Sequence, residues 1–235
     1  MQRLPSSLQN RLLTALPPAD FGLVGPYLTH IDLERGRLLY DPGDPIDTVY
    51  FPHDGAISLM TLMANGAAIE SATIGPEGAV GLMAAVSPRA SMSRAIVQTP
   101  CRAARVSAAQ LHDAWLKSAA IRKVVDNHTE ALFGHAIQSA ACNALHSVEA
   151  RFCRWLLTCH DRISHNTVAL TQEFLADMLG VQRTTVTAVA RTLQERGHIR
   201  YRRGIVDIID RDGLEAMTCE CYGVVNRTYA RLLPG

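Results

Sequence analysis

The spacing of apolar residues changes along this 235-residue chain, and each change marks a different kind of structure. Two short helical patterns, 6–16 and 19–28, come first. From Thr29 to Val106 short apolar runs alternate with turn residues, at 38–40, 49–51, 56–63, 68–74, 79–83, 94–98 and 103–106. Asp41-Pro42-Gly43-Asp44-Pro45 and Asn65-Gly66 are strong turn signals between them. Many short strands with Gly and Pro turns predict a sandwich or jelly roll. From Leu116 the period lengthens. Ile121, Val125, His128, Leu132, His135, Ser139 and Cys142 alternate four and three apart, the spacing of a heptad seam. One helix of that length cannot bury its stripe alone, so the pattern predicts pairing with a second copy of the chain.

Residues 170–197, LTQEFLADMLGVQRTTVTAVARTLQERG, give the most informative pattern. Thr171 is an N-cap for a short helix that closes at Gly180, where a tight turn leads into a second helix starting at Gln182 or Arg183. Val186, Val189, Ala190 and Leu193 share one face of that second helix, and Gly197 ends it. The opposite face carries Arg183, Thr184, Thr187, Arg191 and Gln194, groups that donate and accept at base edges or hold phosphates. Residues 199–203 and 205–209 then form a hairpin around an Arg-Arg-Gly tip. A helix–turn–helix followed by a basic hairpin predicts a winged helix, and with it DNA binding.

Charge matters here by its placement. The whole chain carries +1, but 151–204 holds nine arginines against four acids, a local +5, leaving −4 elsewhere. Arginine suits bidentate phosphate and guanine contacts, and a basic surface on a neutral protein is the footprint of a DNA binder. No run of about 20 uncharged apolar residues is present, so no spanning helix is expected. The stretch MQRLPSSLQNRLLTAL has charges and Pro5 where a secretory signal needs its apolar core, which predicts a cytoplasmic protein. Its six cysteines (101, 142, 153, 159, 219 and 221) should then stay reduced. Cys219 and Cys221 have no second close pair, so spacing predicts no metal site, and no cofactor is expected.

At this point the chain resembles the Crp–Fnr family of bacterial transcription regulators over nearly its whole length. YDPGDPIDTVYFPHDGAISL is similar to the entry of that family's cyclic-nucleotide-binding-type jelly roll. The segment from Leu170 to Gly204 is similar to its winged helix, and the heptad helix to its dimerisation helix. The resemblance implies an α+β protein: a sensor-type jelly roll with N-terminal helices (1–115), a dimerisation helix (116–145) and a winged-helix DNA-binding domain with C-terminal helices (146–235). It also implies a homodimer on double-stranded, two-fold-symmetric operator DNA, with RNA polymerase as a further partner and no membrane association.

The departures shape the expected sites. Nucleotide-binding members carry Gly-Glu-Leu and later Arg-Ser/Thr-Ala, where this chain has Gly81-Leu82 without the acid and Ser93-Arg94-Ala95. The expected effector pocket is therefore Gly78, Gly81, Leu82, Ser93 and Arg94, with Arg94 one step out of phase and so turned to the other face of its strand. Standard cyclic-nucleotide control is not expected. On the second helix, members place a Glu and an Arg four residues apart, where this chain has Thr184 and Ala188. Base reading is expected from Gln182, Arg183, Thr184 and Thr187, and phosphate contacts from Thr171, Arg191, Arg202 and Arg203. The dimer seam is expected at Ile121, Val125, His128, Leu132 and His135. His128, His135 and Cys142 are seven apart, about 10 Å along a helix and too far to share an ion, so they are expected to fix register. Cys153 and Cys159 are expected in the core. No Gly-x-Ser-x-Gly, phosphate loop, dinucleotide fingerprint or cupin metal set is present, so the chain is not expected to be an enzyme. The alternative is a cyclic-nucleotide or other small-molecule binding module acting through protein partners.

Overall fold

A computed structural model describes residues 10–163 and 165–233, so positions 6–9 of the first expected helix lie outside the described residues. Helix α1 (Arg11–Thr14) is capped by Asn10, whose Oδ1 accepts from the Leu12 and Leu13 amides. The buried Asn10 amide also donates to the carbonyls of Pro52 and Gly78, tying this helix to the domain that follows. Helix α2 (Pro18–Phe21) and a 3-10 turn (Gly25–Tyr27) lead into the strands.

Seven strands make two antiparallel sheets. They are β1 (Thr29–Leu33), β2 (Leu38–Tyr40), β3 (Thr48–Pro52), β4 (Ala56–Leu62), β5 (Ala68–Ile74), β6 (Arg94–Thr99) and β7 (Cys101–Ser107). One sheet runs β1-β7-β3 and the other β2-β6-β4-β5. Leu33, Tyr40, Ile57, Ile74, Val97 and Ala103 fill the space between them. The expected strand at 79–83 is not a strand. Val80 makes a single bridge to Tyr50, Gly81 reverses the backbone at φ +81°, and Leu82–Ala85 coil into a 3-10 turn.

The expected single helix from Leu116 is broken. Helix α3 (Ala108–Lys117) ends at Ser118, which takes an extended conformation and starts α4 (Ala119–Leu145). Ser118 Oγ accepts from the Ile121 amide at 3.0 Å and donates to Asp20 at 2.5 Å, so the hydroxyl pins the break.

The heptad stripe also takes a different partner. Ile121, Val125, His128 and His135 are buried within the chain, and Leu132 packs on the sandwich core. The stripe lies over the jelly roll and against α9 (Cys221–Leu232), whose Val225 and Tyr229 join Ile121 and Val125 in one core. A seam facing a second copy is therefore not where these five residues sit. The rearward face of α4 is the bare one, with Phe133 and Ile137 67% and 55% exposed.

The rest of the chain is α5 (Val148–His160), β8 (Thr167–Ala169), α6 (Gln172–Leu179), α7 (Arg183–Glu195), β9 (Ile199–Arg202), β10 (Ile205–Ile208) and α8 (Arg211–Met217), ending in α9. Phe152, Trp155, Leu156, Leu175, Val186, Leu193 and Val206 form its core, with Cys153 and Cys159 inside as expected. Met60 of β4 belongs to the same core, and Leu62, Ala68 and Ile96 pack on its edge. The jelly roll and the winged region thus share apolar surface. Among the described residues no helix is long and apolar enough to cross a membrane.

Candidate nucleic-acid interface

Local chemistry builds the reading element. Thr171 Oγ1 accepts from the Phe174 amide at 3.2 Å and caps α6. Gly180 ends α6 in the left-handed region at φ +62°, and a Cβ there would lie 2.8 Å from Ile69 Cδ1. The left-handed backbone thus favours glycine at the turn, and any Cβ there would also displace the tip of Ile69. Helix α7 follows after two residues, with Val186, Ala190 and Leu193 buried and Val189 half-buried, matching the expected inner face.

Gln182, Arg183, Thr184 and Thr187 are all exposed on the outer face of α7. Gln172 organises two of them: its Oε1 accepts from Thr187 Oγ1 at 2.9 Å and from Arg183 Nε at 3.5 Å. Arg183 thus lies beside Gln172 at the first turn of α7. The wing stands beside it. Strands β9 and β10 pair Arg202 with Ile205 across a two-residue turn, and β8 completes the sheet. Both turn residues have positive φ, Arg203 at +49° and Gly204 at +79°, the geometry whose twist matches a hairpin. Tyr201 anchors the wing, donating from its hydroxyl to the Leu170 carbonyl and from its amide to Gln194 Oε1. Thr171, Gln172, Arg183, Tyr201, Arg203 and Gly204 line a cleft of about 370 Å³ between the wing and the two helices, together with Glu173.

The basic footprint is smaller than the sequence count implies. Arg151, Arg154 and Arg162 are buried inside the chain and cannot meet DNA. Arg191 is exposed but paired with Glu195 at 2.7 Å. Arg202 and Arg203 are exposed at the wing with no ion pair among the described residues.

The expected effector residues are scattered. Gly81, Leu82 and Ser93 line a cavity of about 150 Å³ walled by Tyr40, Ile74, Val80 and Leu132. Gly78 lies against the His128 ring instead, where a Cβ would come within 2.8 Å. Arg94 is turned away and fixed on Asp41 by two hydrogen bonds, of 2.6 and 3.1 Å. That contact holds the Asp41 carboxyl below its usual range. Arg89, which the sequence reading passed over, is the cation beside the cavity. His128 donates from Nε2 to the Ala79 carbonyl, 3.1 Å away, and burial lowers its imidazole to about 4. His135 stacks edge-on against Tyr229, and burial lowers it to about 3. Both rings are neutral near pH 7.

A second group of residues escaped the spacing argument. Cys219 and Cys221 meet Cys142 and His146, because α4 and α9 lie side by side. The ligand-type residues come from positions 77 apart in sequence, which no local pattern reveals.

Two family models match the chain, a cyclic nucleotide-binding domain over residues 30–118 and a Crp-like helix-turn-helix domain over residues 150–217. The structure is similar to FixK2 from Bradyrhizobium japonicum, with 18% identity, a TM-score of 0.69, and 82% of this chain and 98% of that one covered. It is similar to a CRP-family transcriptional regulator from Thermus thermophilus at 19% identity and TM-score 0.67, covering 80% and 95%. The c-di-GMP responsive global regulator CLP of Xanthomonas campestris shares the fold at 18% identity and TM-score 0.64, covering 82% and 99%. A comparison with curated proteins finds no match. With its jelly roll, long helix and winged helix each in place and both family models matched in order, the chain belongs to the Crp–Fnr family of DNA-binding transcription regulators, which are not enzymes.

Proposed function

We propose that the chain acts in the cytoplasm as a homodimer that reads a two-fold-symmetric operator and contacts RNA polymerase from there. The observation that carries the reading is the unobstructed outer face of α7, with Gln182, Arg183, Thr184 and Thr187 exposed beside an arginine-tipped wing. Arg183 is the base reader, placed to take guanine O6 and N7. Gln182, Thr184 and Thr187 are weaker readers, and Thr171, Arg202 and Arg203 hold phosphates. Arg191 does so only by giving up Glu195.

The dimer forms through the bare stripe of α4 rather than the buried one. Phe133, Ile137, Ala140, Ala144 and Leu145 are exposed along it, an apolar patch of the kind that marks an association surface. For two copies joined there as parallel helices to read successive major grooves, their α7 helices must stand about 34 Å apart, one turn of DNA.

Cyclic nucleotides are not the effector. The cavity of about 150 Å³ is below the roughly 300 Å³ at which ligand pockets begin, and Arg94 is committed to Asp41.

Footprinting of the full-length protein on genomic fragments tests this reading. Two protected half-sites related by a two-fold axis, with affinity falling steeply as salt rises, are expected. Retention of DNA that ignores salt would favour the other reading, a module acting through protein partners.

A further inference from the structure

Four metal-ligand side chains meet where the end of α4 touches the start of α9. Cys142 and His146 lie one turn apart at the end of α4, while Cys219 and Cys221 flank Glu220 ahead of and within the first turn of α9. Their sulfur and imidazole nitrogen atoms all lie within 4.8 Å of one another. Cys142 Sγ is 3.5 Å from Cys219 Sγ, and Cys221 Sγ is 3.5 Å from His146 Nδ1. Tetrahedral zinc, with bonds of about 2.3 Å to sulfur and 2.0–2.1 Å to nitrogen, holds its ligand atoms about 3.5–3.8 Å apart. One ion therefore fits with little movement. An iron–sulfur cluster interposes iron and sulfide between its thiolates and needs a wider opening.

The surroundings suit an ion as well. His146 Nε2 is 3.3 Å from a Glu220 carboxylate oxygen, which leaves Nδ1 facing the sulfurs. That is the carboxylate–histidine–metal arrangement in which the outer partner fixes the tautomer and ring orientation. Gln138 Nε2 donates to Cys221 Sγ at 3.0 Å. Arg151 and Arg154 are both more than nine-tenths buried, act electrostatically on Cys142, and have an Nε with no hydrogen-bond partner. Three thiolates around a divalent ion leave one negative charge, and two buried cations with unpaired Nε donors lie near enough to stabilise it.

We propose that Cys142, His146, Cys219 and Cys221 form a tetrahedral site for a single borderline-soft transition-metal cation, zinc being the best match. Two ligands belong to the long helix and two to the end of the winged region. The ion staples the chain across Ser147, where α4 gives way to α5, so the winged region cannot swing on α4 without losing half its ligands. The inference stands apart from the operator reading, because it is read out as metal content.

The test uses full-length protein purified under reducing conditions. Mass-spectrometric metal analysis should find one equivalent of zinc. Replacement by Co²⁺ should give the visible bands of a tetrahedral site and near-ultraviolet thiolate-to-cobalt charge transfer. Cys142→Ser with Cys221→Ser should abolish both signals, and Glu220→Gln should weaken metal binding about tenfold. Cys153→Ser, a buried thiol outside the cluster, should change neither. His146→Cys should keep the metal and strengthen the charge-transfer band, a gain that a misfolded variant cannot produce. Reduced wild-type protein that takes up neither zinc nor cobalt would overturn the proposal, as would equal uptake by the double serine variant. A Cys142–Cys219 disulfide in protein that binds no metal after reduction would overturn it too.

Discussion

Arg162 and Glu77 are joined inside the protein, with Nη2 2.6 Å and Nε 3.1 Å from one carboxylate oxygen and both side chains nearly excluded from water. Arg162 follows α5, and Glu77 sits after β5, where it also accepts from the Gly75 amide. The pair therefore bolts the winged region to the jelly roll. Removing one member leaves a buried charge unpaired, so Glu77→Ala should lower stability to urea by about 3–5 kcal/mol. Replacing both, as Glu77→Leu with Arg162→Met, should lose much less. Equal losses from the single and double variants would contradict this account.

Operator reading and backbone binding should separate cleanly. Arg183→Ala should cost about 1–3 kcal/mol on the specific duplex and flatten preference at one base pair, while Arg203→Ala should weaken all sequences alike and lower the salt slope by about one. Both variants are to be titrated on specific and scrambled duplexes at two salt concentrations. Equal losses from Arg183→Ala on both duplexes would move the base-reading role elsewhere.

Association should depend on the exposed side of α4. Phe133→Asp, or Ile137→Asp, should give a monomer by light scattering and weaken operator binding while leaving the melting temperature nearly unchanged. Leu132→Asp should instead destabilise the monomer, because Leu132 packs on the sandwich core. A dimer that survives Phe133→Asp with Ile137→Asp rules out this interface.

Cyclic AMP and cyclic GMP should not bind at micromolar concentration in titration calorimetry. Arg94 is held on Asp41, and the cavity, although Arg89 stands beside it, is too small for a nucleotide. Freeing Arg94 by Asp41→Ala should not restore binding, since the cavity is also too small. Micromolar heat from either nucleotide on the wild type would reverse the conclusion.

Acid should destabilise the fold through two histidines. His128 and His135 titrate at about 4 and about 3 when folded, because burial disfavours their charged forms, against about 6.5 in the unfolded chain. Below pH 6.5 the unfolded chain binds protons that the folded one does not. Stability is therefore fully present above about 6.5 and falls as pH drops toward the folded values, by about 1.4 kcal/mol per pH unit for each group. Urea midpoints from pH 7 to pH 5 should show the slope, and His128→Gln should reduce it. An unchanged slope would mean that another group carries it.

Much of this was legible in the sequence because local rules wrote it. Thr171, Gly180 and the Val186–Ala190–Leu193 spacing fix the helix–turn–helix without help from the rest of the chain, and all three behave as their chemistry demands. What local rules could not assign was a partner. The spacing from Ile121 to Cys142 announces a buried face, but not whether the cover is a second copy or this chain's own strands and α9. Arg151, Arg154 and Arg162 count as basic charge in sequence, yet their burial is decided by tertiary packing. Cys142 and Cys219 illustrate the same limit, since only the meeting of α4 and α9 makes them neighbours.

The close fit of Gly180 over Ile69 has a consequence for how the molecule can be divided. Strand β5 is the outermost strand of its sheet, and α6 covers it. A jelly roll expressed alone would present an uncapped hydrogen-bonding edge flanked by Met60, Leu62 and Ala68, a template for sticking to other strands. The winged region thus serves as the jelly roll's lid against aggregation, and truncation between the two should yield an insoluble fragment rather than a free sensor.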